Sequence, residues 1–447
     1  MTPRLFGTDG IRARFGDEPL VRSTVVAIAA ATARILRSET ADPRVLIAGD
    51  TRASTPTIGR WLAAGLAAGG ARPSALGVLP TAAMARIVPA RSAAAGVVVS
   101  ASHNPAADNG IKMISANGFK WGAAAELELE SEVMAAAAPA VAEEPELGSD
   151  PSARDEYRSA LRSEAGSPRA LAGLRLALDL ANGAATGFAD LFETLGASIE
   201  THFDAPDGAN INRGCGATHP EVLAARMKGR GLDLGFAFDG DADRAILVDE
   251  SGTARDGDAM LLLWARALAA RGELEPRAVV ATSMSNLGLE RALARDGIEV
   301  VRCGVGDREV VETLRARGLR LGGEQSGHLV DLARSTTGDG LLTALVLAEI
   351  VRRAERTVSE LLADFQRYPQ RILNVAVRAK PDLGSLPRVA AAARGAVDRL
   401  AGDGRLVLRY SGTEPLARVM VEAPDEATVE TLTEEIAAAI RAEIGAA

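Results

Sequence analysis

Two short stretches carry residue types suited to chemistry on phosphate. The first is Gly96-Val97-Val98-Val99-Ser100-Ala101-Ser102-His103-Asn104-Pro105, where an apolar run breaks into polar residues and presents Ser102. A hydroxyl nucleophile divides one difficult group transfer into two easier ones, provided its neighbours activate it. His103, Asn104 and Lys112 are the nearby donors. Serine is equally favoured as a helix N-cap, so Ser102 reads either as a phosphate carrier or as the cap of the next segment. The second stretch is Asp239-Gly240-Asp241-Ala242-Asp243-Arg244, with carboxylates at alternate positions. Three carboxylates so close repel one another unless a cation joins them. Such a set suits Mg²⁺, which takes its remaining ligands from phosphate and water. The spacing also resembles the start of an EF-hand loop, and Glu250 falls where the last ligand of that loop would stand. Arg244 occupies the position that demands glycine there, and the flanks read as strands. The bland alternative is a solvated acidic turn.

Two further loops fit the same theme. Arg409-Tyr410-Ser411-Gly412-Thr413-Glu414-Pro415-Leu416-Ala417-Arg418 ends a strand pattern in a Ser-Gly-Thr turn between two arginines. Backbone N–H groups, hydroxyls and guanidinium forks in such a turn can hold one phosphate; otherwise it is an ordinary hairpin. Gly322-Gly323-Glu324-Gln325-Ser326-Gly327-His328 sets Glu324 and Ser326 between glycines that permit close approach of a polyhydroxyl ligand. His328 can move a proton near working pH, or can be a structural histidine. His202 and His219 read as structural. Gly304-Val305-Gly306 extends to no dinucleotide fingerprint and no Walker lysine motif occurs, so nucleotide binding lacks support. Asp307 and Arg308 beside it are candidates to line a cleft.

The elements that must position these loops alternate. Val45–Ala48, Ala75–Leu79 and Gly96–Val99 read as strands, with a helix over Thr57–Ala68. A second round has strands at Leu174–Leu180, Leu232–Phe238 and Ala245–Val248. A third has strands at Ala278–Ala281 and Glu299–Arg302, with helices at Leu287–Ala294, Asp307–Arg317 and Leu341–Arg353. Alternating βα units imply mostly parallel sheets covered by helices. The rounds form a weak architectural repeat whose motifs do not repeat. After about residue 370 the pattern becomes a small α+β domain, with strands Ile372–Val377, Arg405–Tyr410 and Ala417–Glu422 and helices Pro387–Leu400 and Glu426–Ile444. Linkers are expected at Ala135–Asp150 and Phe365–Gln370.

Composition narrows the function. The chain has 447 residues and a formal net charge of −9. That balance argues against a nucleic-acid face, which is basic. An anionic substrate then needs a local cluster of cations. Cys215 and Cys303 lie far apart and outside any metal-binding spacing, which opposes a disulfide framework and a zinc ribbon. The start of the chain has no signal-peptide core, and no apolar stretch is long enough to span a membrane. The expectation is a cytoplasmic protein with no nucleic-acid or membrane partner.

Taken together, the motifs resemble the α-D-phosphohexomutase superfamily over essentially the whole length. Phe6-Gly7-Thr8-Asp9-Gly10-Ile11-Arg12 opens the chain as in that family, and Ser100 to Pro105 with Asp108-Asn109-Gly110-Ile111-Lys112 resemble its phosphoserine region. Asp239 to Arg244 resemble its metal loop, and Arg409 to Arg418 its phosphate loop. Gln325, the run Asn210 to Pro220 and the run Thr336 to Ala344 resemble the branch acting on glucosamine phosphates. Ala13 and Ala217 depart from the residues common there. The resemblance implies an α/β fold of three similar βα domains and a C-terminal α+β domain around a central cleft. The expected divisions are 1–150 (phosphoserine), 151–255 (metal), 256–368 (sugar) and 369–447 (phosphate). It implies an isomerase that interconverts glucosamine 6-phosphate and glucosamine 1-phosphate. The route is a phosphoserine at Ser102 and a bisphosphorylated sugar, which also serves as primer. The product supplies UDP-N-acetylglucosamine and cell-wall precursor synthesis. It implies Mg²⁺ on Asp239, Asp241, Asp243 and the Ser102 phosphate. Catalytic roles fall to Ser102, Lys112, His328 and Arg12, with proton transfer undivided between Lys112 and His328. Substrate contacts fall to Thr8, Arg244, Arg308, Glu324, Ser326, Arg409, Ser411, Gly412, Thr413 and Arg418. The partner is a small hexosamine phosphate, and the chain acts as a monomer or homodimer. A phosphoserine hydrolase and a non-catalytic sugar-phosphate sensor are the alternatives.

Overall fold

The computed structural model describes residues 5–7, 9–141, 144–411 and 414–446. They fall into two compact units, Met1–Thr282 with Val301–Leu362, and Ser283–Val300 with Ala363–Ala447.

The first unit holds three sheets. The first contains β1 (Ile11–Arg14), β2 (Arg44–Gly49), β3 (Arg72–Val78), β4 (Ala95–Val99) and β5 (Asp108–Ser115), in the order β1-β5-β4-β2-β3. Strand β4 reads Ala-Gly-Val-Val-Val and all five residues are buried. A continuous apolar run of this kind marks a strand covered on both faces. Strands β2, β3 and β4 run parallel, while β5 pairs antiparallel with β4 and β1. The second sheet contains β6 (Arg175–Asp179), β7 (Ser198–His202), β8 (Leu234–Phe238), β9 (Ala245–Asp249) and β10 (Ala254–Arg255), in the order β10-β9-β8-β6-β7. Its directions copy the first: β6 is parallel to β7 and β8, and β9 is antiparallel to β8. In the third, β11 (Ala278–Thr282) runs parallel to β13 (Leu321–Gly323), which pairs antiparallel with β14 (Leu329–Asp331). Strand β12 (Glu299–Cys303) crosses the division between the units.

The repeat expected from the βα rounds is therefore a repeat of wiring. In each sheet an antiparallel hairpin, β4–β5, β8–β9 or β13–β14, adjoins the parallel strands; in the second sheet the short β10 adds a further antiparallel pairing with β9. Ser102 lies in the first hairpin loop, the aspartates in the second and Glu324 to His328 in the third.

The second unit contains β15 (Gln370–Ala376), β16 (Arg405–Tyr410) and β17 (Leu416–Glu422), antiparallel in the order β15-β17-β16. The helices Pro387–Leu400 and Glu426–Ile444 bury Val389, Leu432, Ile436 and Ile440 against Val375, Val419 and Val421. The helix Leu287–Arg295 belongs to this unit, although it reads from sequence as part of the third βα round. The Leu287 N–H donates to Glu422 Oε1 at 3.1 Å, and Arg405 donates to the Ser285 carbonyl at 2.8 Å. The buried Glu422 carboxylate draws these donors to the C-terminal sheet.

Within the first unit, the helix Gly340–Ala354 fixes the acidic loop. Asp339 caps it by accepting from Leu342 N–H at 2.9 Å, and Tyr157 donates to the same carboxylate oxygen at 2.8 Å. The Gly340 N–H donates to the Ala242 carbonyl at 2.9 Å. A Cβ at Gly340 would lie 2.5 Å from the Arg244 carbonyl oxygen and 2.9 Å from that of Ala242. Alanine in a helix is ordinarily worth roughly 0.5–1 kcal/mol over glycine, whereas overpacking against backbone costs about 1–3 kcal/mol. Gly340→Ala is therefore expected to lower stability, measured as the urea midpoint of the circular-dichroism transition. An unchanged or higher midpoint would refute the contact.

Candidate active site

The loop after β4 forms turns and leads into β5, with no helix following, so the N-cap reading of Ser102 fails. Ser102 is buried and has a φ of 53°, a left-handed backbone that non-glycine residues seldom adopt. That backbone turns its hydroxyl toward the second hairpin loop. The Ser102 Oγ donates to Asp239 Oδ2 at 2.5 Å and lies 3.3 Å from His103 Nδ1. Burial, then the Arg244 and Arg12 charges, lower the His103 pKa to about 4.

Asp239, Asp241 and Asp243 are all buried, and one carboxylate oxygen from each lies within 4.8 Å of the others. The residue between them, Ala242, also has a positive φ, 55°. Thr81 donates to Asp241 Oδ2 at 2.5 Å. Lys112, on β5, places its Nζ 2.7 Å from Asp241 Oδ2, 3.2 Å from Asp243 Oδ2 and 3.1 Å from Asp9 Oδ2. Burial opposes a charged amine, but these carboxylates outweigh it and hold the Lys112 pKa above its ordinary value. Burial, together with the charges of Asp243 and Asp241, pushes Asp239 well above the usual carboxylate range. Asp243 moves the other way, because Lys112, Lys120, His328 and Arg244 overcome its burial. Asp241 Oδ1 and Asp243 Oδ1 are buried without a hydrogen-bond partner. Hard oxygen donors, two of them unpaired, in a site that disfavours full ionisation fit a divalent cation.

Other sequence candidates gather at the same place. His328, behind the third hairpin loop, is buried with Nε2 3.9 Å from Asp243 Oδ2, and neither ring nitrogen has a hydrogen-bond partner. The Arg244 N–H donates to Asp239 Oδ1 at 3.2 Å, and its Nε lies 3.8 Å from Asp243 Oδ1. Arg12, on β1, pairs with Asp9. Glu324 is nearly buried and accepts from the Gly306 N–H at 3.1 Å, while Ser326 is exposed at the tip of the loop. Arg308 does not reach the aspartates. It is bonded to Glu126 and, at 3.4 Å, to the Trp121 carbonyl. With Asp9, Lys112, Lys120 and Trp121 it lines a cavity of about 100 Å³. Thr8, Gly412 and Thr413 lie outside the described residues.

Arg409 and Arg418 belong to the second unit, directly opposite each other on β16 and β17. Burial and the Arg418 charge lower the Arg409 pKa. Arg418 donates to Glu414 Oε2 at 3.1 Å and approaches Ser411 Oγ at 3.5 Å. Two guanidinium groups facing across neighbouring strands form a strip suited to an anion.

Sequence reasoning missed several participants. Lys120 bridges Asp9, at 2.9 Å, and Asp307, and lies 3.6 Å from Asp243. Beneath the serine loop, Ser100 Oγ donates to Asp50 Oδ2 at 2.7 Å and accepts from the Ser102 N–H at 2.9 Å. Asp50 and Arg52 stand at the C-terminal end of a parallel strand, where open α/β sheets place their sites; that position was the available signal.

The class of protein that such sheets and such a site define is also found by comparison. The four parts of the phosphoglucomutase/phosphomannomutase family match along the chain: α/β/α domain I at 3–139, domain II at 155–252, domain III at 256–368 and the C-terminal domain at 372–439. The chain is 46% identical over 450 residues to the phosphoglucosamine mutase of Solibacter usitatus, covering 100% of both chains. It is 42% identical to that of Streptococcus suis, covering 99% of each. A phosphoglucomutase/phosphomannomutase family protein from Burkholderia thailandensis superposes with a TM-score of 0.78 at 25% identity, over 98% of this chain and 97% of that one. The N-acetylphosphoglucosamine mutase of Aspergillus fumigatus, solved with GlcNAc-6P and magnesium, shares the fold with a TM-score of 0.68 at 19% identity, over 98% and 95% of the two chains. This chain belongs to the phosphoglucosamine mutase family, within the phosphoglucomutase/phosphomannomutase proteins.

Removing one partner of a buried ion pair costs about 3–5 kcal/mol, because the other charge is left uncompensated. Lys112→Met is therefore expected to lower unfolding stability by about that amount in chelator, read from urea denaturation. Loss of less than about 1 kcal/mol would show that the ammonium does not balance the aspartates.

Proposed function

We propose that this chain interconverts glucosamine 6-phosphate and glucosamine 1-phosphate through a phosphoserine at Ser102 and a glucosamine bisphosphate. The observation that carries the reading is the Ser102 hydroxyl held 2.5 Å from Asp239 inside a buried cluster of carboxylates and cations. An ordinary surface serine has no use for such a setting. Phosphoryl transfer depends chiefly on positioning and on charge stabilisation, and these residues supply both. The names of the relatives support the amino-sugar substrate.

In this reading the phosphoryl group leaves Ser102 Oγ as its bond to the sugar O1 forms. The O1 proton passes to a base, and Ser102 regains a proton. The bisphosphate turns end for end, and its 6-phosphoryl group returns to Ser102. Mg²⁺ held by Asp239, Asp241, Asp243 and the phosphoserine would neutralise charge on the transferred oxygens. Lys112, kept charged by its carboxylates, acts through its charge together with Arg12. His328, with two unpaired ring nitrogens, is the better proton carrier. Arg244, Arg308, Glu324, Ser326 and Thr8 contact the sugar phosphate. Arg409, Ser411, Gly412, Thr413 and Arg418 hold its distal phosphate. The division at 1–150, 151–255, 256–368 and 369–447 is supported by the four family matches. The chain works in the cytoplasm as a monomer or homodimer, primed by a bisphosphorylated sugar.

Two measurements test this. A coupled assay for glucosamine 1-phosphate, run on glucosamine, glucose and mannose 6-phosphates, is expected to favour glucosamine, to need a bisphosphate primer and to stop in chelator. Release of free phosphate without interconversion would point to a hydrolase, and no turnover of any hexose phosphate would sink the mutase reading. Separately, Ser102→Ala is expected to lose one phosphoryl group by intact mass and on the order of 10³-fold or more in activity. Retained full activity would remove Ser102 from the carrier role.

A further inference from the structure

Ser102 keeps its left-handed backbone while its side chain faces a crowd of carboxylates. Positive-φ residues of this kind persist only where the surroundings over-determine them. The surroundings here are two side chains that bind the loop's carbonyl oxygens. Arg52 is wholly buried, although arginine is among the residues least often found inside. Its Nε donates to Asp50 Oδ2 at 2.9 Å. Its terminal nitrogens donate to the carbonyls of Ser102 at 3.0 Å, Asn104 at 2.8 Å and Pro105. Asn212, from the loop that reads as a glucosamine-branch signature, donates through Nδ2 to the same Ser102 carbonyl at 2.8 Å and to that of Asn104 at 3.1 Å. Asp50 is held in turn by Thr55 Oγ1 at 3.0 Å and by Ser100 Oγ at 2.7 Å, so the guanidinium cannot rotate away. Gly240 closes the remaining side, since a Cβ there would lie 2.5 Å from the Ser102 carbonyl oxygen.

We infer that Arg52 and Asn212 are positioning residues, a carbonyl clamp that fixes the Ser102 loop so that its hydroxyl oxygen sits at the aspartates throughout the phosphoryl cycle. The inference rests on the phosphoserine reading above. Neither residue touches the reacting atoms; each acts through the carbonyls of Ser102 and Asn104. A planar fork is needed because three carbonyls and one carboxylate converge on one side chain. Lysine keeps the charge but offers a single compact donor group and cannot span them. The charge also lies beneath the residue that would carry phosphate.

Arg52→Lys and Asn212→Gly are the test variants; glycine suits Asn212 because its φ is 58°. Each is purified, its phosphoserine content is set by intact mass, and single-turnover transfer to glucosamine 6-phosphate is measured per phosphorylated enzyme. A displacement of about 1 Å can cost on the order of 100-fold in rate. The expected result is a rate roughly 10- to 100-fold lower in each variant, with the KM for the sugar phosphate within about twofold of wild type. A purely structural role would lower the amount of folded, phosphorylated enzyme and leave the normalised rate alone. Either folded variant transferring at the wild-type rate would overturn the clamp. If Arg52→Lys fails to fold, Asn212→Gly decides by the same readout. Wild-type protein that carries no phosphate and turns over no sugar phosphate would overturn the mutase reading itself, and this inference with it.

Discussion

Buried negative charge governs the first unit. Asp239, Asp241 and Asp243 are removed from water, with Asp9 beside them, and an isolated buried carboxylate would cost several kcal/mol. Lys112, Lys120, Arg12 and Arg244 surround them, and each comes from a different segment of chain. The cluster is therefore compensated only when β1, β5, the loop after it and the β8–β9 loop are all in place. Balance is incomplete even then, as the raised Asp239 and the two unpartnered oxygens on Asp241 and Asp243 indicate. The remaining deficit is what makes the site receptive to a further cation, and a phosphoryl group would share that cation.

The scaffold brings this about by repetition. Three sheets of similar wiring each place functional residues in the antiparallel hairpin loop beside the parallel strands, and these three loops differ in what they carry: a serine, three aspartates, or a glutamate and a histidine. Backbone contacts fasten the aspartate loop to its surroundings. The Ala245 N–H donates to the Gly327 carbonyl at 3.2 Å, the Thr81 N–H to that of Asp241 at 3.1 Å, and the Gly340 N–H to that of Ala242 at 2.9 Å. Such approaches explain why Gly240, Gly327 and Gly340 border the functional residues. The arginine strip of the second unit is built differently, on adjacent positions of two paired strands, which holds two like charges face to face.

Most strands beside the motifs were legible, because buried parallel strands read as short apolar runs: Gly96–Val99 and Ala278–Ala281 are examples. Strand β5 was not, since Asp108-Asn109-Gly110-Ile111-Lys112 looks like a polar loop. Its polar residues face an occupied interior, where Lys112 and Asn109 are buried with partners. The helix Leu287–Arg295 is legible as a helix of the third βα round, inside the family's domain III at 256–368, but its grouping with the C-terminal sheet is not, because a period-3.6 pattern identifies an apolar face and not the sheet it covers. Lys120 and Arg52 stand in no motif, and Asn212 stands out only as a member of the Asn210 to Pro220 run, for a related reason. Their importance comes from partners such as Asp307, Pro105 and Ser102, up to 187 residues away in sequence.

The sequence by itself determined the residue types and their local grouping: a serine at the end of an apolar run, aspartates at alternate positions, arginines around a Ser-Gly-Thr turn. Local chemistry is enough for that, since spacing along a few residues decides which groups share a loop. Only the tertiary structure decided that Ser102 is not a helix cap, that its hydroxyl meets Asp239, that Arg308 binds Glu126 instead of the aspartates, and that Lys112 remains charged. Each of these depends on burial and on charges from remote segments, and Coulomb energies and desolvation are set by distance in space rather than along the chain.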